Sequence, residues 1–195
     1  MKIKQAKSNK NNILEGAFIL IPSLFNDSRG FFYESWNNKE FKKLIGKNID
    51  FVQDNHSRSS YGVLRGLHFQ KKPHSQGKLV RVINGEIYDV IVDLRLNSKT
   101  FGEWGIFKLS RKNKNQLWIP EGYAHGFLTK TKIAEVLYKT TDYWEKDSER
   151  TLFWKDNTVN INWHLDDFNL KKPNISKKDA DGKSLNYFLK NNELF

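Results

Sequence analysis

From residue 16 onward the chain is a succession of short apolar runs in which buried-type and polar residues alternate with a period of two. "GAFILI", "GFFYES", "FVQDNHS", "VLRGLHF", "KLVRVI", "EIYDVIVDL", "EWGIFKL", "QLWIP", "AHGFLT" and "EVLYKTT" combine β-branched and aromatic residues. Gly, Asn, Asp or Pro separate them, so each predicts a strand. Asn84-Gly85 joins two of the runs and suits a type I′ hairpin turn. "NKEFKKLIG" has a different period: Phe41, Leu44 and Ile45 share one face of a helix, and Gly46 supplies its stop. The tail, "SKKDADGKSLNYFLKNNELF", is polar and then weakly amphipathic, which predicts a short helix there. About ten short strands without intervening helices predict an all-β sandwich or barrel rather than an α/β fold. A double-sheet jelly roll protects strand edges and leaves a ligand-sized cavity, but periodicity alone does not choose it over another barrel. No linker or repeat divides the sequence, which reads as one domain over residues 1–195.

Composition narrows the chemistry. The chain has no cysteine, so neither disulfides nor thiolate metal sites are available, and a reducing cytoplasm is the expected compartment. No apolar stretch is long enough to span a bilayer, and "MKIKQAKSNKNN" lacks the apolar segment of a signal peptide, so no membrane association is expected. A formal charge of +11 raises the question of nucleic acid. The lysines are scattered among asparagines in "NKNN", "NKEFKK", "RKNKNQ" and "KKPNISKK", with no basic helix or aromatic-and-basic RNA motif, so nucleic acid is not the expected partner. A positive field also favours a small anion such as a nucleotide diphosphate.

"VLRGLHFQ" carries the most unusual polar content of any strand. By simple alternation His68 shares a face with Gly66 and Gln70, while Leu67 and Phe69 point the other way. Arg65 belongs to the opposite face unless Gly66 carries a bulge. From this stretch alone, a hydrogen-bonded structural histidine is the commoner case. A metal is not expected. "IPEGYAHGF" has the spacing of the second half of a cupin metal motif, with His125 in place. "LHFQKKPHSQGK" lacks the His-x-His pair of the first half, and His68 and His74 are too far apart to replace it. Lys78, Asp89 and Tyr138 also interrupt strands. Each alone reads as a rim or solvent-facing residue, but a cavity lined by His, Lys, Asp, Tyr and Arg resembles an acid–base site.

Six ordered motifs carry a family resemblance: "DSRGFFYE", "FVQDNHSRSSYGVLRGLHFQ", "QGKLVRVINGEIYDVIVDLR", "FGEWG", "QLWIPEGYAHGF" and "AEVLYKTTDYW". Together they resemble the dTDP-4-dehydrorhamnose 3,5-epimerases, and the likeness runs from "FNDSRGFFYESW" to "SKKD". After "SKKD" the chain departs from the pattern, with "ADGKSLNYF" where a proline is expected. The resemblance implies an all-β cupin jelly roll (double-stranded β-helix) with short peripheral helices. It implies epimerisation at C3 and/or C5 of a nucleotide-diphosphate 4-keto-6-deoxy sugar, with no cofactor. His68 matches the catalytic base, Tyr138 the acid, Lys78 the lysine beside the ketone, and Asp179 the carboxylate that orients the base. Arg29, Glu34, Gln53, Asn55, Arg65, Asp89, His125, Tyr143, Glu149 and Lys178 match substrate-binding or cavity positions. A homodimer is implied as well, with the Arg29–Glu34 segment reaching the neighbouring site. Two alternatives stay open at this point: a single-centre epimerase on a related 4-keto sugar, and a non-catalytic cupin that binds a nucleotide sugar.

Overall fold

The computed structural model describes residues 1–195, and its regular structure is mostly strand. In chain order they are β1 (Lys2–Lys7), β2 (Ile13–Ile21), β3 (Phe25–Asp27) and β4 (Gly30–Phe32), followed by helix α1 (Asn38–Ile45). Next come β5 (Gln53–Ser60), β6 (Val63–Gln70), β7 (Lys78–Asn84), β8 (Glu86–Asp93) and β9 (Trp104–Ser110). The remaining strands are β10 (Gln116–Ile119), β11 (Tyr123–Thr129), β12 (Ile133–Thr140), β13 (Glu149–Thr151) and β14 (Asn174–Ile175). Two short helices, α2 (Lys177–Ala180) and α3 (Leu185–Lys190), close the chain. No helix is long and apolar enough to cross a membrane.

Two sheets face each other, the arrangement expected of a jelly roll. The first runs β1-β2-β10-β7-β12-β5 and the second β13-β6-β11-β8-β9, with β14 added in parallel to β6. Alternation sends Val80, Val82, Ile87, Ile91, Leu117, Phe127 and Val136 into the space between the sheets. The second sheet is covered on its outer face too. There Leu64, Leu67, Phe69, Val90, Val92 and Leu128 pack under Trp163, Phe168, Leu185 and Phe188 of the C-terminal segment. Strand β11 is therefore buried along its whole length, which gives the site a rigid floor. On the outside of the first sheet, Phe41 of α1 docks beside Leu20, Leu79 and Trp118. Helix α1 starts at Asn37, whose side chain accepts from the Glu40 N–H, and ends at Gly46 in the left-handed conformation, as its sequence predicts.

One expectation is corrected, and one strand is added. Asn84-Gly85 is not a hairpin turn: β7 belongs to the first sheet and β8 to the second, so the dipeptide carries the chain across the sandwich. A type I′ turn needs positive φ at both central residues, and only Gly85 has it, at 76°. A Cβ there would come within 2.1 Å of the Ile133 carbonyl oxygen, so glycine is required by close packing at this corner. The lysine-rich start, to which no strand was assigned, forms edge strand β1, paired with β2. Only Ala6 among its residues is fully buried, so it leaves almost no apolar alternation to read.

Candidate active site

Strand β6 places its polar residues by means of a bulge. Between the cross-strand pairs His68–His125 and Arg65–Phe127, β6 holds one residue more than β11. Gly66 sits at this irregularity with φ 111°, and a Cβ there would lie 2.7 Å from both the Gly126 Cα and the His125 carbonyl oxygen. The extra residue resets the alternation. Leu64, Leu67 and Phe69 all join the outer core, while Arg65 and His68 turn into the sandwich. Arg65 reaches across to the first sheet, where its Nε donates to Ser59 Oγ at 2.9 Å.

His68 is bound from behind by a carboxylate. Its Nε2 lies 2.5 Å from Asp179 Oδ1, and the Gly66 N–H donates to Asp179 Oδ2 at 3.3 Å. Burial works against ionisation of Asp179, but the hydrogen bond and charge of His68, with the Gly66 and Ser176 contacts, outweigh it. The carboxyl is held below its ordinary range. An ionised carboxylate only accepts, so Nε2 is the ring nitrogen that carries a proton toward Asp179, and in the neutral imidazole the lone pair lies on Nδ1.

Lys78, at the start of β7, is buried, and its Nζ donates to the His68 carbonyl oxygen at 3.4 Å. Burial drives its pKa down to about 8, partly opposed by the charges of Glu149 and Asp89. Tyr138, on β12 beside β7, has its pKa raised by burial, with Arg65 opposing and Glu149 adding to the rise. The hydroxyl is thus protonated at neutral pH. Glu149, on edge strand β13, accepts from Lys178 Nζ at 2.6 Å. Its pKa is lowered: burial opposes this, but the Lys178 hydrogen bond, a Trp144 contact and nearby positive charge prevail.

His68, Lys78, Tyr138, Glu149, Gln53 and Asn55 line one cavity between the sheets. His68 comes from the second sheet, and Lys78 and Tyr138 from the first. A flat ring lying between the sheets therefore meets the imidazole on one side and the phenol on the other. No three His, Asp or Glu side chains converge in the way a bound metal ion needs.

The family model for dTDP-4-dehydrorhamnose 3,5-epimerase matches residues 11–187. The chain belongs to this family. It is 48% identical over 174 residues to the dTDP-4-dehydrorhamnose 3,5-epimerase of Shigella flexneri, covering 88% of this chain and 93% of that protein. Among solved structures it is similar to the dTDP-6-deoxy-D-glucose-3,5-epimerase of Legionella pneumophila, in complex with dTDP-4-keto-L-rhamnose. That match has a TM-score of 0.88 and 42% identity, covering 99% of this chain and 97% of the other. It is also similar to a 3'-monoepimerase of Streptomyces bikiniensis in complex with dTDP-quinovose, with TM-score 0.85 and 28% identity over 92% of this chain and 89% of that one.

The other positions matched by resemblance to the epimerase family fall in three places. Asp89 and His125 lie between the sheets next to His68, joined to each other at 2.6 Å. Tyr143 and Lys178 sit on the rim, Tyr143 exposed and Lys178 tied to Glu149. Arg29 and Glu34 lie outside this chain's cavity. The Arg29 guanidinium pairs with Asp27 on the exposed β3–β4 hairpin, and Glu34 accepts from Asn37. The structure adds Gln70, Gln76, Thr140 and Trp144 to the cavity wall. Gln70 was readable from its shared face with His68. Trp144 follows Tyr143 in a loop where no periodicity tells which of two adjacent aromatics turns inward.

Proposed function

We propose that this chain epimerises a nucleotide-diphosphate 4-keto-6-deoxy sugar at C3 and C5, without a cofactor, by proton removal and return on opposite faces of the ring. The observation that carries this reading is the placement of His68 and Tyr138 on facing sheets of one cavity, with Lys78 on the strand beside that of Tyr138. The C–H bonds beside a ketone are the acidic ones. In the proposed step His68, with its tautomer fixed by Asp179, takes a proton from carbon, and the electron pair moves to the ketone oxygen. The Lys78 ammonium stabilises the resulting enolate. Tyr138 then delivers a proton to the other face as the enolate collapses, and the phenolate is reprotonated in exchange for the proton held by His68. Gln53, Asn55, Arg65, Tyr143 and Glu149 are proposed to hold the sugar and its diphosphate.

The family relationship and the exposed hairpin support a homodimer in which Arg29 and Glu34 complete the neighbouring site. Phe25, Phe31 and Phe32 on that hairpin are 64%, 54% and 68% exposed, an apolar cluster suited to burial against a second copy. The proposed compartment is the cytoplasm, with which the cysteine-free composition is compatible.

The test is incubation with a dTDP-linked 4-keto-6-deoxy sugar in D₂O, with ring protons followed by NMR. Loss of both the C3 and C5 protons with inversion supports the reading. The likeness to a 3'-monoepimerase makes inversion at one centre the specific alternative, and it appears as product inverted at that centre only. Ligand binding without any exchange sinks catalysis.

A further inference from the structure

We propose that the Lys178–Glu149 ion pair is a latch that sets Asp179 against His68, which makes Lys178 and Glu149 positioning residues for proton transfer. The proposal rests on His68 acting as the base.

Helix α2 is a single turn, too short to hold an orientation by its own hydrogen bonds. Its flanks are fixed by backbone pairing: Asn174 and Ile175 lie beside Val63 and Leu64, and Lys183 bridges Leu152. These pairings decide where the segment runs but leave the rotation of the turn open. Two successive side chains set that rotation. Lys178 reaches Glu149 on β13 at 2.6 Å, and Asp179 reaches His68 on β6 at 2.5 Å. Neighbouring helix positions differ by about 100° around the axis, so two such contacts to adjacent strands define the turn's angle.

The geometry separates this pair from ordinary surface charge. Lys177–Asp181, on the same segment, has side chains 91% and 62% exposed and joins the turn only to itself. The Lys178 side chain is 55% exposed, but the Glu149 side chain is 17% exposed and belongs to the strand that flanks the base: Glu149 lies opposite Gln70, and Thr151 opposite His68. Glu149 also lines the cavity with Lys78, Tyr138 and His68. The latch therefore joins the wall of the cavity to the segment that carries Asp179.

The experiment uses the full-length protein and three variants, Lys178→Met, Lys178→Arg and Asp179→Ala, each checked for an unchanged thermal melt. The His68 ring proton on Nε2 is followed by ¹⁵N-edited NMR without substrate, with Asp179→Ala as the reference for a released histidine. Lys178→Met is expected to move this proton toward the released position and speed its exchange with water. It should lower kcat about tenfold, by analogy with the loss of other groups that orient a functional histidine, and change KM less. Lys178→Arg should largely restore both. If Lys178→Met instead raises KM while kcat and the ring-proton signal stay as in the parent, the latch is overturned and Lys178 only touches substrate. Should Lys178→Met lower the melt, Lys178→Arg alone decides: a displaced ring proton in a fully folded, charge-retaining variant also overturns it. A parent protein with no exchange activity defeats the proposed function, while the substrate-free NMR signal still decides the latch.

Discussion

His125 stands directly across from His68 in the pairing of β11 with β6, and each imidazole is bound by its own carboxylate, Asp89 for His125 and Asp179 for His68. The pairs differ in their access to solvent. The His68 side chain is 30% exposed into the cavity, whereas His125 and Asp89 are 9% and 0% exposed. One oxygen of Asp89 has no hydrogen-bond partner. The outer pair is thus placed to exchange protons with a substrate, and the inner pair is locked into the sandwich.

This contrast separates two truncations. Asp89→Ala strands a buried imidazole and should cost about 3 kcal/mol of stability, read by urea denaturation. Asp179→Ala leaves His68 within reach of water, so it should cost much less stability but most of the activity. His68→Ala should keep the fold and lose on the order of 10²–10⁴ in exchange at both C3 and C5. A His68→Ala protein that unfolds, or exchanges at the parent rate, assigns His68 a structural role.

The proposed role of Lys78 predicts an alkaline limit. Stabilising an enolate requires the ammonium form, which is present below its depressed pKa of about 8 and lost above it. kcat/KM should therefore fall as pH rises through about 8. Glu149 is the largest charge opposing the depression, so Glu149→Gln should move this limb to lower pH. The stability effect has the opposite sign. Between the folded value of about 8 and the ordinary 10.5, the unfolded chain holds the proton that the native one has released, so stability from this group rises with pH. Lys78→Ala should lower kcat about 10²-fold or more, the usual cost of losing an oxyanion partner. An alkaline limb that persists unchanged in Lys78→Ala assigns it to another group.

The proposed sharing of Arg29 between two copies makes a mixing prediction. Arg29→Ala and His68→Ala proteins should each be nearly inactive alone. After mixing and exchange of subunits, a mixed dimer has one site with both His68 and the other copy's Arg29. Random pairing then restores about a quarter of parent activity. No recovery, with exchange of subunits confirmed by mass spectrometry, removes Arg29 from the neighbouring site.

How legible the molecule was depended on the range of the interaction. Ten apolar runs and one helix were read from local alternation, and the structure places elements at all of them. The Asn84-Gly85 turn misled because local sequence shows that the chain bends, not which sheet receives the next strand. The face of Arg65 hung on a bulge at Gly66, where glycine becomes compulsory only once β11 packs so close that a Cβ would lie 2.7 Å from its backbone. Asp179 was found by resemblance. Its hydrogen bond to His68 spans 111 residues, a distance no periodicity bridges.

Tyr138→Phe should separate proton removal from inversion. Tyr138 packs against the apolar residues between the sheets, and Phe keeps the ring and deletes only the hydroxyl, so the fold should change little. No hydrogen bond ties that hydroxyl to the rest of the protein in a way that its loss would strand a buried partner. His68 and Lys78 remain on their strands, so the enolate still forms and takes deuterium back from the imidazole side. What is lost is the donor from the first sheet, the side from which an inverted centre receives its proton. Deuterium should therefore continue to enter at C3 or C5 while epimerised product falls sharply. One NMR sample reads both, as label at each carbon and as the coupling pattern of the product. Inverted product formed at the parent rate would remove Tyr138 from the mechanism and leave water or another side chain as the acid.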